Sequence, residues 1–387
     1  MTKQRLLIYG AGGRTGQSIA RHARHRGLDI VLAGRSSSAL AAPAQALGCE
    51  MRIADVEDET ALAAMLCDVD VVINSGGPFE RTALPIVDAC IKSHCHYLDV
   101  NGELQAYRNV RSRGGRAKNA GVLLMPGAGF CVIASTFLLA ELLRGPDAKP
   151  SMREPSRARI AFSGGPASSV GSIKSLYASL YPFVKIVRDG RLESVPIGSL
   201  ERPFDFEDAG GRSGLISTKA PDCRLGCTGI SVADTLAALC DTPSLGQIET
   251  YVEGSLAVRT FYEGSGRFTG YSKVQPWKAM VERSMRWWPA TPDSGVDTRA
   301  AVCVEVDNPW LETRRIVHRT PSTYEFTAVA VCAIAELVLA GGGFEPGFQT
   351  PVSQFGRHAA LRSAFDLATP TAGRRGRRVA AVSSGGE

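Results

Sequence analysis

The sequence lacks a hydrophobic run long enough to span a bilayer, and it lacks an N-terminal signal segment. Its longest apolar run, Phe326 to Ala340, is about 15 residues long and contains Glu336, whereas a transmembrane helix needs roughly 20. Met1 to Tyr9 reads as a short strand that leads directly into glycines, without the apolar stretch or cleavage site of a signal peptide. We therefore expect a cytoplasmic protein without a membrane span.

An excess of charge of one sign and a disulfide pattern are also missing. The net charge is only +6, and part of it lies in a C-terminal tail with Arg374, Arg375, Arg377 and Arg378. This excess is too small to indicate a nucleic-acid partner. Ten cysteines scattered over 387 residues do not form a disulfide framework, which indicates reduced thiols.

Two further kinds of site have no support in the sequence. No Ser-centred nucleophile elbow is present, so hydrolase chemistry has no residues to carry it. The cluster Cys90, His94, Cys95 and His96 has no second ligand pair at metal spacing, so we expect no metal site.

What the sequence does have is glycine, 41 residues of it, and a regular alternation of apolar runs with helix-compatible stretches from residue 5 to 145. The apolar runs are Leu6–Tyr9, Ile30–Ala33, Met51–Ala54, Val69–Asn74, Tyr97–Val100 and Val122–Met125. Nearly all-apolar strands separated by helices specify a parallel sheet covered on both faces. The fold class is therefore α/β, with an N-terminal Rossmann domain built on a doubly wound parallel sheet.

Changes in composition suggest four segments. Residues 1–148 form the Rossmann domain, and 149–322 form an α+β substrate domain with a mixed sheet, since strand-like runs there alternate with loops rich in Gly and Pro. Residues 323–368 contain a long apolar helix that we expect to pack back on the first domain. Residues 369–387 read as a disordered tail.

The glycines at positions 10, 13 and 16 follow the first strand and open the first helix, in the run Gly10-Ala11-Gly12-Gly13-Arg14-Thr15-Gly16. Without side chains there, the backbone can turn tightly and approach a diphosphate, whose charge then meets free N–H groups at the positive end of the helix. We assign Gly10, Gly13, Arg14, Thr15 and Gly16 to the dinucleotide.

The end of the second strand favours NADP(H) over NAD(H). An NAD-binding domain carries an acidic residue there for the ribose hydroxyls, whereas this chain has Arg35 followed by Ser36. An arginine can bind a 2′-phosphate through two parallel hydrogen bonds and stack on adenine. The alternative is that Arg35 is simply an exposed charge at a strand end.

The ends of the third and fourth strands supply the remaining cofactor candidates. Asp55 and Val56 follow the third strand, within reach of an adenine, although a helix-capping role suits a nearby acid equally well. The bend after the fourth strand lies over the nicotinamide half and contributes Ser75, Gly76, Pro78 and Phe79.

These runs, together with His96–Glu103 and Pro126–Phe130, resemble the saccharopine dehydrogenase-like oxidoreductase family, and within it the trans-acting enoyl reductase branch. The resemblance implies reduction of C=N or C=C bonds with NADP(H), and implies that loops 75–79, 99–103 and 126–131 face the nicotinamide. One departure is Cys131, because the branch carries an aspartate after the Gly-Phe pair that is Gly129-Phe130 in this sequence.

Hydride addition leaves an anion that must be protonated, so the site needs a general acid and a polar anchor. Asp99 and Tyr97 are the catalytic candidates, on one face of the fifth strand; Asp99 could instead cap a helix or position a ribose, and water could supply the proton. Candidate substrate contacts are Glu103, Phe130, Cys131, Ser163 and Gly164. Glu103 could equally be a first-turn helix residue, and Cys131 a small apolar filler.

Two further motifs allow other interpretations. Tyr181 and Lys185 have the Tyr-x-x-x-Lys spacing of short-chain dehydrogenases, but Pro182 between them is awkward in a helix. Residues 276–289 have one apolar face and a basic remainder, typical of a core-facing or lid helix, or of a helix that docks an apolar or carrier-bound substrate.

The sequence thus predicts an NADPH-dependent reductase of an activated C=C or C=N bond in a specialised metabolite or acyl chain. A saccharopine- or opine-like dehydrogenase of an amino-acid imine, and a regulator that senses NADP(H) without chemistry, are the alternatives. The partner is a small-molecule or carrier-bound substrate, and a homodimer is left open.

Overall fold

The computed structural model describes residues 4–144, 155–164, 183–196, 199–206, 224–229, 232–253, 300–310, 312–320, 322–341, 343–356 and 380–382. The chain divides into two compact units. Unit 1 comprises Met1–Ile133 and Ser322–Ala368, and unit 2 comprises Ala134–Pro321 and Thr369–Glu387. The chain therefore leaves unit 1 once and returns to it.

In chain order the strands are β1 (Arg5–Tyr9), β2 (Asp29–Gly34), β3 (Glu50–Ile53), β4 (Val71–Asn74), β5 (His96–Asp99), β6 (Leu123–Met125), β7 (Arg157–Gly164), β8 (Phe183–Arg188), β9 (Arg191–Pro196), β10 (Glu201–Asp205), β11 (Arg224–Gly229), β12 (Gln247–Glu253), β13 (Ala300–Asp307), β14 (Thr313–Thr320), β15 (Gly347–Phe348) and β16 (Ala380–Val382). The helices within the described ranges are α1 (Arg14–His25), α2 (Ser37–Leu47), α3 (Glu59–Met65), α4 (Phe79–Ser93), α5 (Leu104–Ser112), α6 (Gly114–Asn119), α7 (Phe130–Arg144), α8 (Ala233–Asp241), α9 (Thr323–Leu339) and α10 (Pro351–Phe355).

Unit 1 is built on a parallel sheet in the order β15-β6-β5-β4-β1-β2-β3. Leu7, Val31 and Val72 on its central strands are fully buried, as expected where helices cover both faces. The predicted doubly wound α/β class is confirmed. The order reverses between β1 and β4, and the crevice at such a switch point is where open α/β sheets bind ligands.

The seventh strand, β15, was not predicted. Its two residues pair with Leu123 and Leu124 of β6 and extend the sheet by one strand. Two residues are too few to show a strand periodicity, and their partner strand lies far away along the chain. No local pattern could therefore have identified β15.

Helix α9 covers the outer side of α1 within unit 1. The Cys332 thiol lies 3.7 Å from the Ile19 carbonyl oxygen, and Arg26 forms an ion pair with Glu336. Ser322 caps α9 by accepting a hydrogen bond from Glu325 N. The change from unit 1 to unit 2 falls inside α7, after Ile133, whereas the sequence placed the boundary at 148. Composition marks where a helix ends, not the residue at which its contacts pass from one unit to the other. The three boundaries between the four predicted segments stay predictions.

Unit 2 contains a mixed sheet, as predicted. Its strands run β10-β11-β12-β7-β13-β14-β16, and β8 joins β12 and β9. The β7–β12 pair is parallel and its neighbours are antiparallel. Arg159 lies in the buried part of one face, with Nη2 2.5 Å from the Asp307 carboxylate. That pairing is required because an unpaired buried charge is very costly.

The predicted disordered tail, 369–387, contains an ordered strand. Ala380–Val382 pair with Thr313–Arg315 of β14 in an antiparallel register. The disorder prediction is wrong for these three residues, because an edge strand offers unpaired N–H and C=O groups with which an uncharged tripeptide can pair.

Membrane spans and metal sites were both expected to be absent. Within the part of the chain that the structure describes, no helix combines the length and apolarity that a membrane crossing requires. The described residues also include no group of three His, Cys, Asp or Glu side chains placed to hold a metal ion.

Candidate functional site

The turn after β1 lies in close contact with the loop after β4. Gly10 has φ +79°, and a Cβ atom on it would lie 2.6 Å from Gly76 N in the loop after β4. A Cβ atom on Gly16 would lie 2.5 Å from Gly10 O and 2.8 Å from Ser75 Oγ. Only glycine fits at both positions, and the glycine-lined turn leaves the first turn of α1 open at the switch point.

The N-terminus of α1 is suited to an anion. Its N-cap is Gly13, which has extended backbone (φ −85°, ψ 164°) and no side chain to occupy the free amides. Arg14 and Thr15 follow, and the first turn contains no acidic residue. Free N–H groups together with the helix dipole favour a phosphate there. The Arg14 guanidinium lies over the Tyr324 ring of α9, 4.5 Å from its centroid.

Arg35 and Ser36 lie at the carboxyl end of β2. Arg35 is exposed and has no ion-pair partner among the described residues. Ser36 caps α2, its Oγ accepting a hydrogen bond from Ala39 N at 3.3 Å. Arg35 is therefore available to a ligand, whereas the hydroxyl of Ser36 already has a structural role.

Asp55, Val56 and Tyr9 lie together at the ends of β3 and β1. Asp55 is exposed and its Oδ1 accepts a hydrogen bond from Glu57 N at 3.1 Å, while Val56 is buried. Tyr9 donates to Ala54 O at 3.2 Å. Burial and the Asp55 carboxylate raise the pKa of Tyr9, against smaller opposing effects of Arg35 and Arg81. Asp55 and Arg35 thus have opposite effects on the pKa of Tyr9.

The loop after β4 is pinned to the end of β1. Ser75 donates to Tyr9 O from both its N (2.9 Å) and its Oγ (2.8 Å), and Gly76 N donates to Asn74 Oδ1 at 2.9 Å. The Gly77–Pro78 peptide bond is cis. Phe79, the first residue of α4, is buried, while Pro78 is exposed. The candidate residues of this loop therefore differ in accessibility.

A buried hydrogen-bond network joins the ends of β4, β5 and β6. Tyr97 donates to Asp99 Oδ2 at 2.9 Å, and Asn74 Nδ2 donates to the Tyr97 oxygen at 3.2 Å. Asp99 Oδ1 accepts from Asn101 N (2.9 Å) and Gly127 N (2.8 Å). Tyr97 and Asp99 share one face of the strand, as predicted.

Both catalytic candidates are fully buried, and burial controls their protonation. Burial raises the pKa of Asp99 to about 6, against the lowering effects of the Gly127 and Asn101 amides and the Tyr97 hydroxyl. Burial, with the Asp99 carboxylate, raises the pKa of Tyr97 well above its usual value. Each Asp99 oxygen already accepts at least one hydrogen bond, so the carboxyl connects the loops after β5 and β6.

Glu103 and Asn101 complete the loop after β5. Glu103 is buried at the N-cap of α5, and its Oε2 accepts a hydrogen bond from Glu80 N of α4 at 2.9 Å. Asn101 is 1% exposed, and its Oδ1 accepts from Glu103 N at 2.5 Å. Asn101 Nδ2 has no hydrogen-bond partner among the described residues.

The remaining unit 1 candidates are at the start of α7. Phe130 is buried, its ring packs edge-on against Phe326 with 5.3 Å between centroids, and its N donates to Thr327 Oγ1 at 3.1 Å. This contact gives Phe130 a packing role in the core beside α9. Cys131 is partly exposed.

Ser163 and Gly164 lie in unit 2, at the end of β7. Ser163 Oγ and Gly164 N both donate to Glu253 Oε2, at 2.5 and 3.3 Å. Lys185 lies in β8 rather than on a helix, so the Tyr-x-x-x-Lys pair does not have the helical geometry of short-chain dehydrogenases at that residue. Tyr181 and the segment 276–289 lie outside the described residues.

Two side chains of the network were not among the predicted site residues, namely those of Asn74 and Asn101. Both are buried amides: Asn74 is the last residue of β4, and Asn101 lies two residues after the end of β5. A polar side chain at the end of an otherwise apolar strand was the signal that could have identified them, since buried polar groups need a specific partner.

Comparison with known proteins agrees with this geometry. Residues 6–125 match the family model of the saccharopine dehydrogenase NADP binding domain. The trans-acting enoyl reductase of Mycobacterium tuberculosis (strain ATCC 25618 / H37Rv) is 34% identical over 147 residues, which are 36% of this chain and 35% of that protein. The trans-acting enoyl reductase of Mycobacterium ulcerans (strain Agy99) is 31% identical over the same length and the same shares. The matched region spans about a third of these relatives.

Among solved structures, apo saccharopine dehydrogenase (L-Glu forming) from Saccharomyces cerevisiae has a similar fold. Its TM-score is 0.59 at 15% identity, and the alignment covers 94% of this chain and 96% of that one. At this identity the likeness concerns the fold alone.

The fold and the site thus define a Rossmann-type dinucleotide-binding unit. Residues 6–125 match the saccharopine dehydrogenase NADP binding domain, and this match confirms the predicted cofactor, NADP(H).

Proposed function

We propose that this protein is an NADPH-dependent reductase that transfers hydride to an activated C=C or C=N bond of a specialised-metabolite or acyl substrate. The observation that carries the proposal is the glycine-lined turn between β1 and α1, where added Cβ atoms on Gly10 and Gly16 would collide with backbone. Together with exposed Arg35, this turn fits a dinucleotide that carries a 2′-phosphate. Similarity to the trans-acting enoyl reductases over 147 residues supports a reductive reaction.

Different residues would bind different parts of the cofactor. The first turn of α1, starting at Gly13, would hold the diphosphate, and Arg35 would hold the 2′-phosphate. The loops after β4, β5 and β6 would line the nicotinamide half, because they lie on the opposite side of β1 from β2. When bound, NADPH supplies the hydride.

Asp99 suits a positioning role better than that of a general acid. Three donors, Tyr97 Oη, Asn101 N and Gly127 N, hold its carboxyl group, which is 0% exposed. It fixes the loops after β5 and β6 relative to each other, so that a substrate is held in one orientation. In that role Asp99 does not donate the proton, and water supplies it. The earlier assignment of Asp99 as the general acid stays a prediction.

The runner-up is a saccharopine- or opine-like dehydrogenase acting on an amino-acid imine, which the match of residues 6–125 to the saccharopine dehydrogenase NADP binding domain favours. A regulator that senses NADP(H) without chemistry needs only unit 1. Carrier docking through residues 276–289, a homodimer and a cytoplasmic location remain predictions.

The test measures NADPH oxidation against a panel of α,β-unsaturated thioesters, enones and cyclic imines, alongside NADPH affinity by fluorescence. Turnover of the unsaturated thioesters or enones supports the proposal, and turnover of imines alone favours the runner-up. Tight NADPH binding without turnover of any panel member would favour the sensor. If NADPH does not bind, both reductase proposals fail together.

A further inference from the structure

Asn101 carries a hydrogen-bond donor that the protein itself does not use. The side chain is 1% exposed, and its Nδ2 has no partner among the described residues. A buried amide group without an acceptor destabilises the folded state, so native proteins rarely keep one without a reason.

The orientation of this amide is fixed before any ligand arrives. Asn101 N donates to Asp99 Oδ1 at 2.9 Å, and Asn101 Oδ1 accepts from Glu103 N at 2.5 Å. Because the backbone N–H of Glu103 requires an acceptor, Oδ1 must be the atom that faces it. The opposite atom, Nδ2, is therefore held in place as a donor.

The position of Asn101 indicates which part of a dinucleotide it serves. The strands lie in the order β6-β5-β4-β1-β2. The turn proposed to hold the diphosphate follows β1, and Arg35 follows β2 on one side of β1. The nicotinamide half then extends to the other side, towards β4 and β5, and Asn101 follows β5. The polar group that a nicotinamide ring presents is its carboxamide, whose oxygen is an acceptor.

We propose that Asn101 Nδ2 donates a hydrogen bond to the carboxamide oxygen of the nicotinamide and so sets the orientation of the ring. The donor is preorganised, so the ligand does not have to order it. Asp99 acts behind Asn101 as a positioning residue, because it holds the Asn101 backbone N–H. The inference rests on the NADP(H) binding that the proposed function also requires.

The test compares two ligands on wild type and Asn101→Asp. The substitution keeps the shape and the Oδ1 acceptor for Glu103 N but replaces the donor with an acceptor. We expect NADPH affinity to fall about tenfold or more, as for loss of a buried hydrogen bond. The affinity for 2′,5′-ADP, which contains no nicotinamide, should stay within about twofold of wild type, the noise of such a comparison.

The control variant is Asn109→Asp on α5, where the same change falls on a partly exposed side chain; it should bind both ligands as wild type does. Loss of affinity for both ligands in Asn101→Asp would show a merely structural role and overturn the proposal. Unchanged NADPH affinity would also overturn it, including the case in which only the KM of the reducible substrate rises.

A measurement on the unaltered protein keeps the proposal testable if Asn101→Asp does not fold. The thionicotinamide analogue of NADP+ replaces the carboxamide oxygen with sulfur, a weaker acceptor, and should bind about fivefold or more weakly than NADP+. The 3-acetylpyridine analogue keeps the carbonyl oxygen and should bind like NADP+. Equal affinities of all three would contradict the hydrogen bond, whereas failure of NADP+ itself to bind would contradict the proposed function.

Discussion

Asp99 couples its protonation to the stability of the fold. Its pKa is about 6 in the folded protein and 3.8 in the unfolded chain, so the folded state binds the proton more tightly. The stability that this group contributes is complete below about pH 4 and is lost as the pH rises through about 6. A shift of roughly two pKa units corresponds to about 3 kcal/mol.

Urea unfolding of wild type and Asp99→Asn between pH 4 and 7 measures this contribution. Between these limits the wild type should lose up to about 3 kcal/mol relative to the variant, because the asparagine does not titrate. Other titrating groups, such as Asp234, occur in both proteins and cancel in the difference. Parallel pH profiles for the two proteins would show that the pKa of Asp99 is not raised.

We propose that the choice between NADPH and NADH depends on Arg35. It is exposed at the end of β2 and has no ion-pair partner among the described residues, so Arg35→Asp should leave the fold intact. We expect the ratio of NADPH to NADH affinity to fall at least tenfold, roughly the loss of a charge-assisted pair with a phosphate. Arg21→Asp, on the exposed side of α1, makes the same charge change away from the strand end. A similar fall in both variants would mean that only net charge matters.

At the scale of elements, the turn between β1 and α1 combines a left-handed backbone conformation at Gly10 with close contact, and the effects of the two on a substitution can be separated. Gly10 and Gly27 both have φ +79°, but a Cβ on Gly27 would meet nothing within 4 Å, whereas one on Gly10 would lie 2.6 Å from Gly76 N. Gly27→Ala should cost about 1 kcal/mol through its backbone conformation alone.

Gly10→Ala should cost about 1–3 kcal/mol more, because the loop after β4 must also move. It should weaken NADPH binding as well, whereas Gly27→Ala should not. Thermal unfolding and NADPH titration of the two variants check this. Equal destabilisation by the two substitutions would mean that the loop after β4 adapts to the added methyl group.

Five of the six predicted strands of unit 1 were visible in the sequence because buried parallel strands are almost entirely apolar. The sixth, β3, is mostly exposed and was visible through its apolar residues Met51 and Ile53. The glycines and Arg35 were visible because they follow those strands directly. The residues that these side chains and glycines contact were not visible in the sequence. The close approach of Gly10 to Gly76 and the hydrogen bond from Gly127 N to Asp99 join residues that only the order of strands in the sheet brings together. Asn101 was missed for the same reason: its unused donor is defined by what surrounds it.

For the whole molecule, the connectivity makes unit 1 depend on two separate stretches of chain. Helix α9 returns from after residue 321 to cover α1, and β15 completes the sheet beside β6. The Ile19 side chain is fully buried in the presence of α9. Residues 1–133 alone would therefore expose apolar surface that α9 covers in the full chain.

Two designed chains test this dependence. Phe130 N lies 3.1 Å from Thr327 Oγ1, so the start of α7 is next to the N-terminal part of α9. A flexible linker of about six residues can therefore join residue 133 to residue 322. We expect this joined chain to fold and bind NADPH, and residues 1–133 alone to bind it at least tenfold more weakly or to aggregate. Circular dichroism and NADPH titration compare the joined chain with residues 1–133. Equal NADPH affinities would show that α9 is not needed to hold α1 in place after the β1–α1 turn.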